Sequence, residues 1–249
     1  MEKYNFPVKL TPVKTNGILI PNKFAVLRTD TKHPIGIVSN KYQLLKHETV
    51  VNGFRQALKK TKYEEKIQLR KDGSSLFATY KISENQLIIS KGDIVSLQFV
   101  VKNSYNGKNS LQIILGAFRL VCENGMIIGK EFFSFSRKHI GQGELKTELL
   151  IESITQLSSQ FKESLPIMQQ MTKMKMGRNE DKAFKEDDVL PTYMLEAAQK
   201  EYMLWNDNSV WGFYNSLTKV ITHQSKRDNP ARQIKFGARA WSLALKQLK

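Results

Sequence analysis

Residues 94–141 constrain the fold of this chain more than any other stretch, because two Asn-Gly pairs interrupt runs of alternating apolar and polar side chains. Residues 94–102 alternate, and residues 111–117 alternate again, with Tyr105-Asn106-Gly107-Lys108 between them. A period of two puts successive side chains on opposite faces of a strand. A two-residue hairpin needs positive φ at both central positions, which Asn and Gly tolerate at least steric cost. Asn124-Gly125 separates a second pair of runs, residues 116–122 and 126–136. The segment therefore reads as an antiparallel meander. Lys102, Lys108, Arg119, Lys130, Arg137 and Lys138 fall near its turns and strand ends.

Upstream, residues 24–28 and 35–39 read as short strands across a Thr-Lys-His-Pro turn, and residues 66–69 and 76–82 flank a further hairpin signal, Asp72-Gly73. Residues 48–60 read as a helix whose stripe is Val50, Val51, Phe54, Ala57 and Leu58. Arg55, Lys59, Lys60 and Lys62 lie on its other face and end, where the partial negative charge of a helix C-terminus favours cations.

Beyond Gly143 the period lengthens to about 3.6. Leu150, Ile154, Leu157, Phe161 and Leu165 share one helical face until Pro166 kinks or ends it. Met168, Met171, Met174 and Met176 read as adaptable packing or an oligomer contact rather than a cofactor site. Residues 175–188 are charged and poor in apolar side chains, the composition of a mobile linker. Helices are expected near residues 193–204 and 210–223, and Asn229-Pro230 signals the start of the last one. The predicted class is α+β, an antiparallel β-meander packed on helices and followed by a helical C-terminal region. The predicted division is a sheet domain over 1–143 and a helical region over 144–249.

Charge narrows the partners. The chain carries +16, and the excess is segregated. Residues 1–83 hold 16 Lys/Arg against 6 Asp/Glu, residues 84–143 hold 7 against 4, residues 144–208 hold 8 against 12, and residues 209–249 hold 8 against 1. Segregated charge directs a field at a polyanion, whereas evenly dispersed lysine would serve solubility alone. In the last helix Arg232, Lys235 and Arg239 sit off the apolar stripe formed by Ile234, Ala238, Trp241, Leu245 and Leu248. No acidic residue follows Asp228. That points these cations toward phosphate.

Catalytic signatures are sparse. No Gly-rich phosphate loop with a following Lys and Ser/Thr is present. His33, His47, His139 and His223 lie far apart without ligand spacing, and Cys122 is the single cysteine, which reads as a small buried hydrophobe in a strand. Asp93, Glu123 and Glu131 are the carboxylates that a metal-dependent nuclease would need near the meander, but their spacing matches no motif. The expectation is a protein that is not an enzyme and holds no metal or cofactor. No apolar run approaches the ~20 residues needed to span a bilayer, and residues 1–10 lack the apolar core of a secretion signal. A cytoplasmic setting, without a membrane, is expected.

Several runs taken in order resemble a phage/plasmid-like family called domain of unknown function 932. They are Val26-Leu27-Arg28-Thr29-Asp30 with Ile35-Gly36-Ile37-Val38-Ser39 and Tyr42; Asn103-Ser104-Tyr105-Asn106-Gly107; Arg119-Leu120-Val121-Cys122-Glu123-Asn124-Gly125 with Arg137-Lys138-His139; and Trp211-Gly212-Phe213-Tyr214-Asn215 with His223 and Lys235-Phe236-Gly237-Ala238. The resemblance covers about residues 24 to 245. The family's Asn-Ser-His-Asp-Gly run has Tyr105 and Asn106 here in place of its His and Asp, and its Thr before Asn-Gly is Glu123. This departure favours a structural turn over a reactive site. The resemblance implies a mobile-element setting and no particular chemistry. A plan of early helix, meander and then helices is similar, by looser analogy, to ATP-independent single-strand annealing proteins.

The leading expectation is sequence-independent binding of single-stranded DNA, with annealing during phage or plasmid recombination or replication, by a homo-oligomer. Lys102, Lys108, Arg119, Arg137, Lys138, Arg232, Lys235 and Arg239 are the candidate phosphate contacts. Tyr105, at the hairpin tip, is the candidate base-stacking side chain, while Phe132, Phe133 and Phe135 read as core. The alternatives are a non-catalytic interaction or anti-defence factor and, third, a nuclease acting through Asp93 or Glu123.

Overall fold

The structure is a computed structural model that describes residues 3–70, 72–120, 124–127, 134–139, 145–176, 183–184, 187–205, 207–223 and 229–248. It has a mixed α+β fold, an antiparallel, meander-like sheet packed against helices and followed by C-terminal helices. Strands β1 (Val8–Thr15), β2 (Ile18–Arg28) and β3 (His33–Ser39) form a three-stranded antiparallel sheet in that order. Helix α1 (His47–Ala57) follows. A six-stranded sheet is then built from β4 (Tyr63–Leu69), β5 (Ser75–Ser90), β6 (Asp93–Ser104), β7 (Leu111–Arg119) and β8 (Asn124–Ile127) in sequential order, with β9 (Ser134–Arg137) also paired to β7. The helices that follow are α2 (Thr147–Glu163), α3 (Leu165–Lys173), α4 (Thr192–Trp205), α5 (Val210–His223) and α6 (Pro230–Lys246).

The chain forms two compact units that interleave along the sequence rather than dividing at residue 143. Unit 1 comprises Met1–Tyr80, Val100–Ile113 and Ser134–Gln156; unit 2 comprises Lys81–Phe99, Ile114–Phe133 and Leu157–Lys249. The long strands β5, β6 and β7 each contribute residues to both units.

In unit 1, Phe6, Val8, Val26, Ile35, Val38, Tyr42 and Tyr105 form one apolar cluster. An Asn-Gly pair does make a two-residue hairpin here, but it is Asn16-Gly17 (φ +49° and +81°), with Thr15 opposite Ile18. Asn106-Gly107 does not. Only Gly107 has positive φ, and six residues separate the end of β6 from the start of β7. The loop closes through the Asn106 side chain, which accepts from the Lys108 N–H, and through Ser104 Oγ, which donates to the Asn109 carbonyl. Gly36 of β3 lets this loop approach: a Cβ there would lie 2.5 Å from Asn106 Cα. Asn124-Gly125 is not a turn either, for Asn124 begins β8 opposite Arg119.

In unit 2, α5 is buried nearly all round and packs on α3, α4, α6 and β8. The Tyr214 hydroxyl donates to the Ile127 carbonyl at 3.0 Å. Gly237 of α6 faces Ile127, where a Cβ would meet the Ile127 side chain at 2.9 Å. Asn229 caps α6 by accepting from the Arg232 N–H, with Pro230 in the first turn, as the local signal predicts. Met168, Met171 and Met176 are buried, which favours the packing reading for these three, while Met174 is exposed.

The expected mobile linker is corrected where it is described. Met176 donates its N–H to the Asn208 carbonyl, Phe184 packs edge-on to Phe213 at 4.9 Å, and Asp187 pairs with Arg239 at 2.6 Å. Two buried apolar side chains and one ion pair outweigh the polar composition that suggested mobility. Residues 177–182 and 185–186 lie outside the described residues, as do Cys122, Glu123, Glu131, Phe132, Phe133 and the side chain of Phe135.

Candidate nucleic-acid interface

Unit 1 is organised around the entry to α1. His47, its first residue, is buried and bonded on both ring nitrogens. The Asn103 amide nitrogen lies 3.1 Å from the Leu45 carbonyl, which orients that amide as a donor, and 2.9 Å from His47 Nδ1. Nδ1 must therefore accept, and Nε2–H donates to the Gly73 carbonyl at 3.1 Å. Burial pushes the His47 pKa down to about 3, so the ring is neutral at ordinary pH.

Tyr105 completes this arrangement, and its expected role is corrected. Its ring stacks on His47 with centroids 3.8 Å apart, its hydroxyl accepts the His47 backbone N–H at 2.6 Å, and it is 1% exposed. A side chain so placed cannot stack on a base. It serves as the N-terminal cap of α1 and as core.

A second ring pair lies beside the first. Tyr42 donates its hydroxyl to the Ser104 carbonyl at 2.7 Å and stacks on His139 at 5.2 Å. The Gln43 N–H donates to the His139 carbonyl at 2.8 Å, which ties the segment after β9 to the segment before α1. Between these segments is a half-open cavity of about 590 Å³. One wall is Gln43, Leu44, Leu45 and Lys46 with Thr49 in the first turn of α1; the other is Arg137, Lys138 and His139, with Leu145 beside them. Among the described residues its lining includes three cations and no carboxylate. Burial, together with the charge of Arg137, holds the His139 pKa below its ordinary value. His139 Nε2 is buried without a hydrogen-bond partner.

The structure thus brings Arg137 and Lys138 together with Lys46, Thr49 and His139, which sequence reasoning missed as a group. Lys46 carries no local signal beyond preceding a helix. Lys108, exposed, and Lys102, half-buried with its pKa lowered by desolvation, belong to the same unit.

The remaining candidates are in unit 2 and divide in two. Arg119 is corrected: its guanidinium makes a two-pronged pair with Asp93 at 2.7 Å, and Asp93 also accepts from Trp211 Nε1 at 2.7 Å. Arg239 is likewise held by Asp187. Both cations are neutralised by carboxylates distant in sequence, so neither is available to phosphate. The same pairing occupies Asp93, the described carboxylate of the nuclease alternative. Arg232 and Lys235 of α6 are exposed.

Among the described residues no group of three His, Cys, Asp or Glu side chains could hold a metal ion, and no helix is long and apolar enough to cross a membrane. The family model described as Domain of unknown function (DUF932) matches residues 34–243. The chain belongs to this family. The DUF932 match takes in α1, the cavity and nearly all of the helices of unit 2, while β1, β2 and the first residue of β3 precede it. No curated protein and no solved structure matches the chain.

Proposed function

We propose that the chain binds single-stranded DNA without sequence preference through unit 1, and that it anneals complementary strands without ATP in phage or plasmid recombination or replication. The observation that carries this reading is the distribution of charge between the units. Unit 1 holds 20 Lys/Arg against 9 Asp/Glu, a formal +11, whereas unit 2 holds 19 against 14, a formal +5. Within unit 1 the cavity supplies a concave surface with Lys46, Arg137 and Lys138 on its walls. Concave cationic surfaces gain affinity by releasing the counterions of a polyanion, which is independent of sequence.

With Tyr105 in the core, affinity comes chiefly from the strand's backbone. Binding therefore falls steeply with salt, and each lost phosphate contact lowers the log–log slope by about 0.7 for a single strand. The test is fluorescence anisotropy with matched single- and double-stranded oligonucleotides across a salt series, with particle size read on the same samples. Lys46→Glu with Lys138→Glu should weaken binding to all sequences alike and flatten the slope by about 1.4. Unchanged affinity in that double variant would remove the cavity rim from the interface. Annealing is read separately, as the rate at which two labelled complementary strands pair with and without protein.

A second reading, a non-catalytic interaction factor, is favoured by one feature. Ile18 and Leu19, at the tip of the β1–β2 hairpin, are 70% and 54% exposed. Exposed apolar side chains on a projecting turn suit contact with another protein. Absence of nucleic-acid binding at low salt, with loss of a host-protein complex in an Ile18→Ser, Leu19→Ser variant, would favour this reading over the first.

A further inference from the structure

We propose that the solvent face of α4 is a contact with a second copy of this chain, in which two α4 helices pair antiparallel across a two-fold axis near residue 198. The proposal goes beyond the nucleic-acid reading and does not depend on it.

Exposure is the first support. α4 buries Met194, Leu195, Ala198 and Tyr202 within unit 2 and packs on α5. At about 100° per residue, its opposite face carries Tyr193, Glu196, Ala197, Lys200, Met203 and Leu204. Tyr193, Met203 and Leu204 are 45%, 62% and 77% exposed. Ten large apolar side chains are exposed among the described residues, and three of them share this face. Single exposed apolar residues need no explanation, whereas a group on one helical face suits a protein contact.

The order of residues on the face selects the occupant. Tyr193, Glu196, Lys200 and Met203 follow a three-four-three spacing, that of a seam along which two helices pair. Read in reverse, this seam presents its own complement. An axis near residue 198 sets Glu196 of one copy opposite Lys200 of the other, and Tyr193 opposite Met203, each contact made twice. Glu196 and Lys200 are both exposed. Ala197, beside the axis, is small enough for the helices to approach to about 8–10 Å. A parallel pair would set Glu196 against Glu196 and Lys200 against Lys200, and like charges so placed cost energy. A partner of other sequence would have to supply the reversed pattern itself; a second copy supplies it by symmetry.

The contact is weak by construction. A face about 21 Å long and one helix wide buries less than the roughly 1,200 Å² of a stable complex. Charged residues in the middle of the seam lower affinity further while fixing direction and register. The pair therefore forms at high concentration, or where copies are held close together.

The experiment is sedimentation equilibrium of the intact chain without nucleic acid, from about 10 µM to about 1 mM. The unaltered chain should pass from monomer toward dimer over this range. Glu196→Lys and Lys200→Glu should each weaken association about 10-fold or more, because both reciprocal contacts become like-charged. Mixing the two variants should restore the dimer, since each then meets its opposite, and so should joining both changes in one chain. Leu204→Glu should weaken association by a similar factor. Circular dichroism, unchanged in every variant, checks that the helices are intact. A chain that stays monomeric throughout overturns the proposal; if Leu204→Glu then lowers its thermal stability, the face is covered by the chain itself, and if Leu204→Glu loses a host-protein complex, by a foreign partner. A dimer equally stable in both charge-reversed variants lies on another surface and also overturns it.

Discussion

Acidification from pH 7 to pH 5 should cost unit 1 about 2 kcal/mol through His47 alone. In the unfolded chain this ring titrates near its ordinary value of about 6.5; in the fold, burial lowers that to about 3. Protons then bind the unfolded state first. Stability is therefore complete above about pH 6.5 and falls as the pH drops toward 3. With 1.36 kcal/mol per pH unit of differential protonation, the loss between pH 7 and 5 comes to about 2 kcal/mol, and it continues below pH 5. The structural cause is specific. Nε2–H already serves Gly73, and Nδ1 can receive a proton only by giving up the Asn103 amide. Native-state hydrogen exchange of the Val50 and Val51 amides reads the opening of α1 at the two pH values. All three tryptophans, Trp205, Trp211 and Trp241, lie in unit 2, so their fluorescence would miss it. In His47→Phe the ring against Tyr105 is kept and the titration is gone, so the acid-dependent loss should shrink by about 2 kcal/mol. Equal losses in the two proteins would refute the reasoning. If the variant does not fold, direct titration of the His47 resonance decides: a midpoint near 6 contradicts the buried, doubly bonded ring.

Tyr105→Phe should lower stability by about 1–3 kcal/mol in chemical denaturation, because the His47 backbone N–H loses its acceptor, and should leave oligonucleotide affinity unchanged. Asp93→Asn should cost about 3–5 kcal/mol in the unfolding of unit 2, read by tryptophan fluorescence, since Arg119 is left without its carboxylate and is mostly buried. Gly36→Ala should destabilise unit 1 by about 1–3 kcal/mol in the same hydrogen-exchange assay, because the neighbour it meets is backbone that cannot rotate away.

The local elements were largely legible in the amino-acid order. Asp72-Gly73 turns β4 into β5, Pro166 follows the break between α2 and α3, and α5 spans the residues that its periodicity indicates. These are decided by groups within four residues of one another, through turn dihedrals, caps and apolar spacing. The first hairpin is also written there, in Asn16-Gly17. What the order of residues could not decide is which signal prevails when a distant partner competes. Tyr105 stands in a hairpin-like run, yet the His47 N–H and ring draw it inward and open the two-residue turn into a longer loop.

The candidate site divides along the same line. Net charge and its segregation belong to the sequence, and so does the prospect of a polyanion. Whether a given cation is available is a property of the folded chain alone. In the sequence Arg119 and Arg239 are cations like any other, and only the fold brings Asp93 and Asp187 against them. The cavity is likewise a tertiary product, since the residues before α1 and those after β9 meet only when Gln43 bonds to His139. Charge is inherited residue by residue, but electrostatic partnership falls off with distance in space. Only folding sets that distance for groups far apart in the chain.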